Sequence, residues 1–160
     1  MSDLRIGLGV DAHALVAGVP LVLGGVPIDH PRGLAGHSDG DVVAHALTDA
    51  LLGAAGLGDL GTFFPSDDVR WQGADSLDLL GDAYARVRAE GYALVSADCI
   101  LIGEEPRIAP HRQAMREALA GALEVDAARV NVRATTTDRL GFTGRGEGLA
   151  AQAVALLERG

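Results

Sequence analysis

The stretch DVVAHALTDALLGAA, residues 41–55, constrains the fold more than any other part of this chain. Val42, Val43, Ala46, Leu47, Ala50 and Leu51 cover most of a helical cylinder with apolar groups, and such a helix belongs in a core. Asp41, His45, Thr48 and Asp49 nevertheless recur on it at i, i+4, i+7 and i+8, with Leu52 following at i+11. They form one polar stripe. Buried ionisable groups are costly unless they hold a metal, a ligand or one another. The segment therefore predicts a buried helix from Asp41 to Ala55 with chemistry along one edge. Ser38 or Asp39 stands where a cap belongs, and Gly56 where the helix stops.

A chain of 160 residues can enclose such a helix in one domain, residues 1–160. Arg5 to Val10 reads as a first strand. Leu21 to Asp29 reads as a hairpin turned by Gly24-Gly25. Leu77, Leu80, Tyr84 and Val87 recur at helical spacing within a second helix from Ser76 to Glu90, ended by Gly91. Tyr92 to Ile102 reads as a central strand, and Pro110 opens a helix to Leu123. Val130 to Thr135 alternates as a strand, and Gly148 to Glu158, rich in Ala and Leu, reads as a closing helix. This order predicts an α+β class, a two-layer sandwich in which helices cover one face of a mixed sheet.

Asp11 and His13 end the first strand, where i and i+2 project to one side. With His45 they make a carboxylate and two imidazoles, three ligands that leave a fourth metal position open, as in working zinc sites. Asp49, one turn from His45, is placed to accept from its other ring nitrogen. His30 and His111 read as ordinary surface histidines. His37-Ser38-Asp39-Gly40-Asp41 precedes the helix and can offer donors to an anion, although on this stretch alone a capped helix with a solvent-exposed His is the favoured reading. Near the C-terminus, ATTTDRLGFTGRGEG combines hydroxyls with glycines that allow close backbone approach to a ligand. In it Asp138 can hold a hard cation through oxygen. Arg107, in GEEPRIAP, is a candidate phosphate clamp or simply a charged helix start.

The formal net charge of -9 argues against nucleic acid as a partner. No apolar run approaches the ~20 residues of a membrane span. The opening MSDLRIGLGVD lacks an export signature, and the single cysteine, Cys99, suits a reducing compartment, so a cytoplasmic location is expected.

DAH (11–13), HSDGDVVAHALTDALLGAAGLGDLG (37–61), FFPSDD (63–68) and TTTDRLGFTGRGEG (135–148) together resemble the 2-C-methyl-D-erythritol 2,4-cyclodiphosphate synthase family. The resemblance implies a homotrimer with sites between subunits. Each site would convert 4-diphosphocytidyl-2-C-methyl-D-erythritol 2-phosphate to the cyclic diphosphate and release CMP. It implies Zn²⁺ on Asp11, His13 and His45, and Mg²⁺ or Mn²⁺ on Asp138. His37, Ser38, Asp59 to Gly61 and Phe64 to Asp68 would contact the methylerythritol phosphate. Gly103 to Ala109, with Arg107, and Thr135 to Asp138 would enclose the cytidine diphosphate. His37 and Thr136 would stabilise the transition state, and Phe142 and Arg145 would contact substrate near the trimer axis. Three positions depart from the family pattern. Asp138 replaces a commoner Glu and is one methylene shorter, Arg107 replaces a frequent Lys, and Leu8 replaces a polar residue.

Two rival readings use the same residues. A zinc hydrolase of a phosphorylated small molecule would activate water at the open position, with Asp49 or Asp41 as base. A metal-stabilised binding module would close the site with a fourth protein ligand, and only three stand out. A regulatory role for Arg145, binding an isoprenoid diphosphate beside Phe142, is a further expectation.

Overall fold

Glycines at 7 and 9 determine how the chain stacks. The computed structural model describes residues 2–160. Its elements are β1 (Asp3–Ala17), β2 (Leu21–Leu23), β3 (Val26–Ile28), β4 (Arg32–Leu34), α1 (Val42–Ala54), α2 (Leu60–Phe63), α3 (Ser76–Ala89), β5 (Ala93–Ile102), α4 (Arg112–Leu123), β6 (Val130–Thr135), α5 (Gly141–Gly144) and β7 (Gly148–Arg159). Five strands form a mixed sheet in the order β4-β1-β7-β5-β6, in which β5 and β6 run parallel and the other pairs antiparallel. The architecture is a mixed α+β fold.

On β1, Gly7 and Gly9 face α1, and a methyl group at either would run into the backbone carbonyl of Ala50 or Ala46. Ala151, Ala153 and Ala155 of β7, all buried, continue this low surface, so α1 lies almost on the strand backbones. Leu47, Leu51 and Leu52 are fully buried on α1, as is Leu80 on α3, which packs against it, and Leu119 and Leu123 of α4 are as fully buried. Each such leucine contributes about 2 kcal/mol of burial. The alternate residues of β1 face away from the helix. Leu4, Ile6, Leu8 and Val10 are 59%, 73%, 63% and 55% exposed, an apolar stripe with no cover from its own chain.

The Gly24-Gly25 hairpin forms as the sequence predicts, with φ of +56° and +77° at its two turn residues. Asp41 ties this turn to α1. It caps the helix in place of Ser38 or Asp39, its carboxylate accepting from Val43 and Ala44 N–H at 3.2 and 3.1 Å. It also accepts from Gly24 and Gly25 N–H at 2.9 and 2.7 Å. Burial pushes its carboxyl up to about 6, although the backbone donors pull the other way. Asp41 is thus committed to the fold and does not belong to a ligand-facing stripe.

Three further expectations are corrected. The predicted closing helix is strand β7, paired antiparallel with β1 from Asp3↔Arg159 to Ala14↔Gly148. The first strand runs to Ala17, so Asp11 and His13 lie inside it rather than at its end. His30 is largely covered, one ring nitrogen lying 3.0 Å from the Arg32 carbonyl oxygen, and is not a surface histidine. Among the described residues, no helix is long and apolar enough to cross a membrane.

Candidate metal centre and neighbouring cavities

Because α1 lies so close to β1, His45 reaches the two side chains that β1 projects toward it. Asp11 Oδ2 is 2.9 Å from His13 Nε2 and 3.0 Å from His45 Nδ1, and the two nitrogens are 3.4 Å apart. A tetrahedral ion bound at about 2.0–2.1 Å separates its ligand atoms by about 3.3 Å, so these three donors suit one. Burial works to raise the Asp11 carboxyl, but its close contacts with His13 and His45 outweigh it and hold the group at about 2. The hydrogen bond to Asp11 raises His13 in turn.

The far side of the His45 ring differs from the sequence expectation. Its Nε2 lies 2.8 Å from Ser76 Oγ and 3.0 Å from Ser38 Oγ. Asp49 turns away and accepts from the Leu60 N–H at 2.6 Å, where it fastens the start of α2. Spacing alone placed Asp49 beside His45, but the chain after the helix claims it first.

The triad opens on a cavity of about 190 Å³ that His37, Ser38 and Phe64 also line, with Leu60, Trp71 and Leu79 on its apolar side. His37 Nε2 donates to the Asp68 carbonyl oxygen at 3.1 Å, and Phe64 stacks edge-on against Trp71 at 4.9 Å. Asp59, Gly61 and Asp68 do not line this cavity. Asp59 caps α2 through the Thr62 N–H at 2.9 Å. The side chain of Arg70 holds the Asp68 carboxyl at about 2.

A second cavity, of about 390 Å³, lies between the β5–α4 connection and the end of β6, and joins Arg107, Ile108 and Ala109 to Thr135 and Thr136. Asp138 lines an adjoining space of about 570 Å³ with Thr136, Glu104 and Arg145. Asp138 and Arg139 both sit in left-handed backbone, φ +52° and +66°, and the Arg139 N–H donates to Glu104 Oε1 at 2.7 Å. Phe142 is 43% exposed, and Arg145 pairs with Glu147 at 2.9 Å. Neither space shares a lining residue with the triad's cavity.

Sequence reasoning missed Trp71 and Leu79 as cavity walls, Ser76 as a partner of the His45 ring, and Asp39 as the partner of Ser76. Only the polar residue at the start of a helix hinted at Ser76.

Fold and donor set together define a mixed α+β protein with a three-residue, metal-type centre open to a cavity. The chain belongs to the YgbB family, which it matches over residues 4–158. It is 55% identical over 155 residues to 2-C-methyl-D-erythritol 2,4-cyclodiphosphate synthase of Geobacillus kaustophilus, covering 97% of this chain and 98% of that one. Its fold is similar to the bifunctional IspDF of Campylobacter jejuni, with a TM-score of 0.96 at 43% identity. That match covers all of this chain but 43% of the longer bifunctional one. It is also similar to a solved 2C-methyl-D-erythritol-2,4-cyclodiphosphate synthase bound to CDP, at a TM-score of 0.87 and 41% identity, covering 96% and 99% of the two chains.

Proposed function

We propose that the chain catalyses the metal-dependent cyclisation of 4-diphosphocytidyl-2-C-methyl-D-erythritol 2-phosphate to 2-C-methyl-D-erythritol 2,4-cyclodiphosphate, releasing CMP. The observation that carries this reading is the convergence of Asp11, His13 and His45 on one cavity wall within a chain of this family. Residues 1–160 act as a single synthase domain, a two-layer sandwich in the cytoplasm. The CDP bound to a relative of 41% identity supports a cytidine nucleotide in the cavity of Arg107, Thr135 and Thr136.

The substrate's 2-phosphate attacks the β-phosphorus of its own diphosphate, and CMP leaves. No enzyme nucleophile is required, so the protein's work is positioning and charge stabilisation. Asp11, His13 and His45 would hold Zn²⁺, and Asp138 Mg²⁺ or Mn²⁺; bound there, the ions would supply positive charge to offset the repulsion between phosphates. His37 and Ser38 offer donors to the methylerythritol phosphate beside the triad, and Phe64 excludes water from it. Thr136 donates to the transferring phosphate. Arg107 and Thr135 hold the nucleotide, Asp59, Gly61 and Asp68 shape the loop over the sugar, and Phe142 and Arg145 approach it from the trimer axis. Aligning two groups in one molecule is worth roughly 7–11 kcal/mol.

The two regions face each other across a homotrimer, the triad of one subunit completed by the threonine segment of its neighbour. Support comes from the uncovered stripe Leu4, Ile6, Leu8 and Val10, which a second copy can bury, and from the separate cavities within one chain. Phosphorus NMR of the protein with substrate and Mg²⁺, before and after zinc chelation, tests the reading. Coupled cyclic-diphosphate resonances beside CMP, lost on chelation, are expected. CMP with an open-chain product would establish the hydrolase instead.

A further inference from the structure

Ser76 and Asp39 have no part in the reading above, yet Ser76 is bound to His45 and Asp39 to Ser76. Ser76, first residue of α3, is fully buried, and its Oγ lies 2.8 Å from His45 Nε2. The same hydroxyl contacts Asp39 Oδ1, and the Ser76 backbone N–H donates to Asp39 Oδ2 at 3.0 Å. Asp39 Oδ1 also accepts from the Asp41 N–H at 3.1 Å, so the carboxylate is fixed from the loop and from both helix starts.

An ionised carboxylate accepts and cannot donate. The one proton of the Ser76 hydroxyl therefore goes to Asp39, and Ser76 Oγ must accept from His45 Nε2. This puts the ring proton on Nε2 and leaves the Nδ1 lone pair facing Asp11 Oδ2 and His13 Nε2, 3.0 and 3.4 Å away. An acceptor pair at that distance calls for a cation between them.

We propose that Asp39 and Ser76 are positioning residues that lock His45 in its Nε2–H tautomer and so set the affinity of the triad for a divalent metal. The proposal rests on the reading of Asp11, His13 and His45 as ligands. It makes metal affinity depend on the docking of α3 against the loop before α1, since each supplies one member of the relay. Ser38 Oγ, 3.0 Å from the same nitrogen, shares the ring proton without a carboxylate of its own to orient it.

Two measurements on the full chain test this. Long-range proton–nitrogen NMR of zinc-free wild type at neutral pH should show His45 in the Nε2–H form. An Nδ1–H ring would overturn the proposal without any variant being needed. Zinc affinity by competition with a chromophoric chelator should fall about 10–100-fold in Ser76→Ala and in Asp39→Ala, with a mixed tautomer in both. Variants that bind within about twofold of a tightly binding wild type would overturn the relay alone. Wild type that takes up no zinc would overturn the ligand reading and the proposal together.

Discussion

The molecule carries its polar chemistry in two regions that are built in opposite ways. The Asp11–His13–His45 cluster stands on regular elements pressed together, α1 on β1, with only glycine hydrogens between them at positions 7 and 9. The Thr136–Asp138–Arg145 region stands on the loops around α5, its side chains exposed and two of its residues in left-handed backbone. The first holds its atoms in place through the core of one chain. The second offers donors and charges without an enclosing wall. Damage to the first should therefore spread into stability and metal binding, and damage to the second should stay local to turnover.

The largest effect that would separate the regions is loss of a ligand. His45→Ala should lower CMP release by at least about 10³-fold, equal to about 4 kcal/mol, and empty the protein of zinc as read by metal analysis. A variant that keeps both would erase the distinction. Next in size is Gly9→Ala, buried beneath α1 and with no side chain of its own in the chemistry. Its methyl meets the Ala46 carbonyl, so urea unfolding should show a loss of about 3 kcal/mol, and zinc affinity should fall with it as α1 lifts. Unchanged zinc binding in a folded Gly9→Ala protein would mean that close packing does not set the triad.

A pH measurement sharpens the same contrast. Burial favours the neutral form of Asp41 in the folded protein, holding its carboxyl up near about 6. Its contribution is therefore fully present below the pH at which an unfolded aspartate titrates, and is lost as pH rises through about 6, a change of about 3 kcal/mol. Between about pH 4 and about pH 7, urea stability of wild type should fall relative to Asp41→Asn by that amount. A constant gap would show that the four backbone donors keep Asp41 ionised throughout. The smallest effect belongs to the loop region. Thr136→Ala should slow turnover about 10²-fold, as loss of one donor to developing charge does, while zinc affinity and stability stay at wild-type values.

Legibility in the sequence follows the same division between local and tertiary causes. Strand β6 runs from Val130 to Thr135 as its alternation predicts, and Gly24-Gly25 specified its own turn, because both depend on neighbours in the chain. Strand β7 was misread because alanine and leucine favour helices in isolation. Here the alanines at 151, 153 and 155 leave the space α1 needs, the strand lies between β1 and β5, and sheet pairing overrides propensity. The triad was readable because each half has a local signature, i and i+2 on a strand and a polar position on an apolar helix. The Ser76–Asp39 relay was not, since the two residues meet only when α3 docks. Asp49 shows the converse, a local spacing that suggested His45 as partner and was overruled by the backbone of Leu60.

The pairing of β1 with β7 carries one more consequence. Asp3 lies opposite Arg159 and His13 opposite Leu149, so the stretch of β1 bearing two of the triad's residues, beyond its short pairing with β4, takes its sheet partner from more than a hundred residues later. A ribosome delivers that partner after β4, β5 and β6. Asp11 and His13 therefore emerge early and wait, without a strand beside them, until β7 has followed. The centre is completed late in assembly, and any metal held before then would be held by a peptide rather than by a site.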